Sequence, residues 1–185
     1  MMEVWLVRHA PVAASGICYG QSDIPCTLDP AEAATRIAAA APVRFSELWA
    51  SPWARTRDVA EQLAARWRIS LRIDPRLSEL SMGAFEGRPF TQLKCEPAFR
   101  EWMRSWRTAA PPGGETLGQL SARASAWLDE RKGAGSLLAI THAGVIRSLR
   151  AHVCGLSWDK AMCIPVEHLM PECLRQPAQS SFSNR

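Results

Sequence analysis

Short apolar runs that alternate with helix-forming stretches limit what this chain can fold into more than any other feature. Glu3–Val7 (EVWLV), Phe45–Ala50 (FSELWA) and Leu137–Thr141 (LLAIT) read as buried strands, and Ile69–Ile73 alternates apolar and polar residues as a further strand. Between them lie helix signals. Asp29-Pro30-Ala31-Glu32 offers an N-cap, a proline at the first helical position and an acid in the first turn, for a helix to about Ala40. Ser51-Pro52 opens a helix to about Arg66, and Thr116-x-x-Gln119 is a capping box for one to about Arg131. A helix is expected from Phe99 to Trp106 and another from Ala143 to Val153. Strands alternating with helices predict an α/β fold with a mostly parallel sheet. Such sheets bind ligands beyond the carboxyl ends of their strands.

Composition narrows the function classes. The 185 residues are 47% hydrophobic, which suits one domain with a real core and excludes a fibrous or disordered chain. The formal charge is only +4, and its basic residues are spread along the chain, so nucleic acid is not an expected partner. Lysine occurs only at Lys94, Lys132 and Lys160, so nearly all the positive charge is arginine, the better bidentate phosphate ligand. No apolar run approaches a membrane span, and Met1-Met2-Glu3 lacks the basic start of a signal peptide. The six cysteines have neither C-x-x-C spacing nor a zinc-like arrangement with histidine. A cytoplasmic protein with reduced thiols is the expectation. Residues 1–169 read as the domain and 170–185 as a loose tail.

Three strand ends carry the chemistry. The first strand runs into Arg8-His9, the second into Ser51-Pro52-Trp53-Ala54-Arg55, and LLAIT into His142-Ala143-Gly144. In a parallel sheet these ends share one rim, where two histidines and two arginines converge. Cationic forks suit a phosphate dianion, and an imidazole can attack phosphorus.

The same residues form an ordered series of motifs. Leu6-Val7-Arg8-His9, Gly20-Gln21-Ser22-Asp23-Ile24-Pro25, Ser51-Pro52-Trp53-Ala54-Arg55, Leu77-x-Glu79 with Gly83-Ala84-Phe85-Glu86-Gly87, Gly113-Gly114-Glu115-Thr116 and Thr141-His142-Ala143-Gly144 follow one another. The series resembles the histidine phosphatase superfamily, the phosphoglycerate-mutase-like group. That resemblance implies a three-layer α/β/α fold, a small phosphorylated substrate, and no metal or cofactor. It implies His9 as nucleophile, and Arg8, Arg55 and His142 as ligands of the phosphoryl oxygens. Glu79 would be the general acid and then the base. Main-chain N–H groups at Tyr19 and Gly20 would complete the phosphate pocket.

Other residues read as structural. Glu86 is expected to tie its loop down, Arg147 to pack or face solvent, and His152 and His168 to lie outside the chemistry. Trp102 and Trp106 fall in the segment that often covers the active site in this family. Several positions depart from the family pattern: Ala10 and Ala143 replace glycines, Val12 replaces a threonine, and Ser15 stands at the usual asparagine. These changes bear on substrate preference and spare the reacting groups. The resemblance also implies a last strand, expected here at Ile164–Leu169 with an atypical tail after it. The stretch from Gly87 to Gly113 lacks the insertion of the glycolytic mutases, which favours hydrolysis. Within the superfamily the chain is most similar to the bacterial alpha-ribazole phosphatase group. The alternatives are a broad phosphatase or phosphoglycerate mutase of the same fold, a protein phosphohistidine phosphatase, and a non-catalytic binding module.

Overall fold

The computed structural model describes residues 3–131 and 135–174. Five strands form the main sheet: β1 (Glu3–Arg8), β3 (Glu47–Ala50), β4 (Leu71–Ile73), β6 (Ser136–Thr141) and β7 (Glu172–Leu174), in the order β4-β3-β6-β1-β7. The first four are mutually parallel, and β7 runs antiparallel to β1 at the edge. A separate ribbon pairs β2 (Ile17–Cys18) with β5 (Arg88–Pro89). The helices are α1 (Pro30–Ala40), α2 (Ala54–Trp67), α3 (Phe90–Leu93), α4 (Pro97–Ser105), α5 (Leu117–Asp129), α6 (Ala143–Cys154) and α7 (Trp158–Cys163).

Side-chain alternation along the strands builds the three layers. Val7, Leu48, Ala50, Leu138 and Ile140 face one way, against Ile37 of α1 and Val59 and Leu63 of α2. Leu6, Trp49, Leu137 and Ala139 face the other way, against Leu120 and Trp127 of α5 and Ile146 and Leu149 of α6. Central β6 is therefore apolar on both faces, which is why it reads as an unbroken run. The Asp29 cap and the Thr116–Gln119 capping box both form as their sequences predict. None of the described helices is long and apolar enough to cross a membrane.

The C-terminal end differs from expectation. Ile164–Leu169 makes only a single bridge, His168 beside Arg8, instead of a strand. Pro165 interrupts it, and Leu169 has a left-handed φ of 61°. The last strand is instead β7, inside the stretch expected to be tail; residues 175–185 lie outside the described part. The tryptophans of the 97–106 segment pack inward. Trp102 joins Phe85 and Phe99 in a small separate core and donates its indole N–H to Ala109 O, and Trp106 lies against the α5/α6 core.

Candidate active site

Strand register places the functional residues side by side. Arg8 pairs with Thr141 and Ala50 with Ile140, so His9, Ser51 and His142 follow three neighbouring strand ends. Backbone bonds extend the ladder past the sheet, from His9 N to Thr141 O and from Ser51 N to Ile140 O. The His9 and His142 ring centroids are 5.2 Å apart.

His9 is only 2% exposed, and its Nδ1 lies 2.7 Å from Ala10 O. A carbonyl only accepts, so the Nδ1 carries the proton and Nε2 keeps its lone pair. Burial pushes the His9 imidazole down to about 3; the Ala10 bond works against that shift, and Arg55 and Arg8 add to it. A buried, neutral imidazole with a free Nε2 is a nucleophile in its reactive form.

His142 is fully buried between two partners. Its Nδ1 accepts from Arg55 Nε at 3.3 Å, and its Nε2 lies 2.9 Å from Ser51 Oγ. Arginine can only donate, so the His142 proton sits on Nε2 and is given to Ser51. Burial, with Arg55 next, holds this ring well below its usual range as well. Arg55 also donates to the carbonyls of Ser22 and Gly20, and its guanidinium lies over the Tyr19 ring. Arg8 donates through Nη1 to Val166 O, and its Nε is buried without a partner. Neither arginine lies in an ion pair with a described carboxylate, so both keep their charge available to a phosphate.

Glu79 approaches from the loop after β4. Its Oε2 accepts from Gly144 N at 3.0 Å and its Oε1 from Leu80 N at 2.9 Å. A Cβ at residue 144 would fall 2.1 Å from Glu79 Oε1, so only glycine lets the carboxylate reach the start of α6. The loop is fixed from behind by Arg123, which takes the carbonyls of Arg76, Ser78 and Glu79 and pairs with Glu115.

Comparisons with known proteins identify the family and the fold. The family model described as histidine phosphatase superfamily (branch 1) matches residues 4–173. The chain belongs to the histidine phosphatase superfamily. It is 28% identical over 163 residues to the adenosylcobalamin/alpha-ribazole phosphatase of Escherichia coli K12, covering 84% of this chain and 80% of that one. It is 30% identical over 166 residues to a Yersinia enterocolitica protein named "Probable phosphoglycerate mutase GpmB", covering 84% and 76%. Among solved structures, the alpha-ribazole phosphatase of Shigella flexneri superposes with a TM-score of 0.84 at 24% identity, covering 93% and 89% of the two chains. A mycobacterial glucosyl-3-phosphoglycerate phosphatase does so with 0.77 at 22%, covering 90% and 85%.

In this member of the superfamily the structure gathers Arg8, His9, Arg55, Glu79 and His142 at one rim and places two expected contacts differently. The Gly20 N–H, expected to face phosphate, donates instead to Glu86, as do Gln21 N, Ser22 N and Met82 N. Burial would raise the Glu86 carboxyl, but these bonds and the Ser22 hydroxyl hold it below its usual range. The turn therefore offers the Gly20 carbonyl, not its N–H. Tyr19 contributes its ring, set against Arg55. His142 has both ring nitrogens occupied, so it aligns Arg55 instead of offering its own N–H. His168 was missed: its Nδ1 bonds to His9 O at 2.5 Å and its ring stands edge-on to that of His9. Its only sequence signal is a histidine between two prolines, far from the motifs.

Proposed function

We propose that this protein is a phosphomonoester hydrolase that works through a phosphohistidine on His9. The observation that carries the reading is the buried His9 ring, whose Nδ1–H is fixed on Ala10 O. The Nε2 lone pair attacks phosphorus while the bond to the leaving oxygen breaks. Glu79 gives that oxygen its proton. Arg8 and Arg55 hold the phosphoryl oxygens and offset the charge that builds in the transition state. In the second half, Glu79 takes a proton from water, the resulting hydroxide attacks phosphorus, and the N–P bond breaks. Inorganic phosphate leaves, and His9 returns to the same neutral tautomer.

The substrate we propose is alpha-ribazole 5′-phosphate, in the nucleotide-loop branch of cobalamin synthesis, with a cytoplasmic location. The likeness to the Escherichia coli enzyme and the short Gly87–Gly113 stretch support it. The Yersinia relative's name favours a second reading, a phosphoglycerate mutase. One screen separates the two. Purified protein is given alpha-ribazole 5′-phosphate or 3-phosphoglycerate, and both free phosphate and isomerised product are measured. Phosphate release from the first, lost in His9→Ala, is the expected result. Isomerisation of the second without phosphate release would replace hydrolase by mutase.

A further inference from the structure

The described arginines that are buried or partly buried fall into two sets. Arg57, Arg76, Arg88, Arg123, Arg131 and Arg150 each pair with a carboxylate. Arg8, Arg55 and Arg147 lie in no such pair with a described residue. Two of these three are the cations of the phosphoryl pocket.

Arg147 stands on α6 three residues past Gly144, on the same helix face. Helical side chains lean toward the N-terminus, so Arg147 covers the first turn of α6. That is the turn whose Gly144 N–H holds the Glu79 carboxylate. The Arg147 Nε is buried and has no hydrogen-bond partner. Arg131 shares an unpartnered Nε, but its guanidinium rests on two indole faces and pairs with Asp74. Arg147 has neither compensation. Burial, followed by repulsion from Arg8, lowers its pKa, while Glu79 acts in the other direction.

A charge count points the same way. When Glu79 carries the proton it delivers, three guanidinium charges meet a phosphoryl dianion. One positive charge is left over beside the group that departs. We propose that Arg147 is a specificity-determining residue that binds an oxygen of the leaving group close to the ester oxygen. A hydroxyl there, as on a ribose, is accepted, and a carboxylate is preferred. The assignment rests on the phosphomonoesterase reading, because Glu79 marks the leaving-group side of the site.

The test compares kcat/KM on 3-phosphoglycerate, glycerol 3-phosphate and phenyl phosphate in the wild type, Arg147→Met and Arg147→Lys. These leaving groups carry a carboxylate, a hydroxyl only, and no further oxygen. In Arg147→Met the ratio of 3-phosphoglycerate to phenyl phosphate should fall about tenfold to a hundredfold, the worth of a charged hydrogen bond. Glycerol 3-phosphate should fall by an intermediate factor, and lysine should restore part of the carboxylate ratio. Equal losses on all three substrates, or unchanged ratios, would overturn the assignment. A wild type inactive on all three and on alpha-ribazole 5′-phosphate would sink the hydrolase reading instead. Calorimetric binding of the same compounds to His9→Ala, with and without Arg147→Met, then decides the role of Arg147: the carboxylate compound must lose most.

Discussion

Arg55 and Arg131 are almost equally buried, at 3% and 9% exposure, yet the protein surrounds them in opposite ways. Arg131, against the β4 edge of the sheet, is paired with Asp74 and lies 3.8 Å from the Trp49 ring centroid and 4.8 Å from that of Trp127. Its charge is spent inside the fold. Arg55, at the rim of the parallel strands, meets only neutral acceptors: two carbonyls and the His142 ring. Those acceptors fix its direction and leave its charge uncancelled. The difference teaches how to tell a structural arginine from a ligand-binding one. Burial is shared, and the presence of a carboxylate partner separates them.

Mutating each arginine centre should therefore damage a different property. Arg55→Ala should lower kcat by about 10²–10³, as expected for losing a donor that stabilises developing charge. Steady-state kinetics on a phosphomonoester checks this, and a change confined to KM would erase the contrast. Asp74→Ala should instead cost about 3–5 kcal/mol of stability, because it strands a buried guanidinium. Urea unfolding reads that loss, and the folded fraction should keep a kcat near the wild-type value.

Acid should weaken the rim before the Arg131 cluster. His9, His142 and His168 are all held below the ordinary histidine range, chiefly by burial. The unfolded chain takes up protons from about pH 6.5 downward, where the native rim stays neutral. Stability is thus lost as pH falls below that value, and the share of His9 goes on being lost down to about 3. Between pH 7 and pH 5 His9 alone should account for about 2 kcal/mol. Burial would raise the Asp74 carboxyl, but Arg76 and Arg131 hold it below its usual range, so its contribution persists to lower pH. Urea midpoints at the two pH values check the difference, which should shrink in His9→Asn.

The sheet was legible because its strands are apolar runs with clear bounds, and the rim because His9, Ser51 and His142 directly follow three of them; Arg55 and Glu79 lie further along their loops and were legible from the motifs around them. What escaped was decided by backbone or distance. β7 is three residues long and pairs through main-chain bonds that leave no periodicity. His168 reaches the site only because its segment folds back beside Arg8. The direction of the Gly20 peptide depends on Glu86, 66 residues away. Arg147 reads as an ordinary helix arginine until the structure shows that no described carboxylate forms an ion pair with it.

The central claim is a covalent bond to His9 Nε2. The most direct measurement is rapid quench of the protein with a phosphomonoester, followed by mass spectrometry of its peptides under alkaline conditions. Glu79→Gln is used alongside the wild type to slow hydrolysis of the intermediate. An acid-labile phosphoryl group on His9, formed as fast as the leaving group departs and absent from His9→Ala, is the predicted result. Full turnover with His9 unmodified, or with inverted configuration at a chiral phosphoryl group, would contradict it.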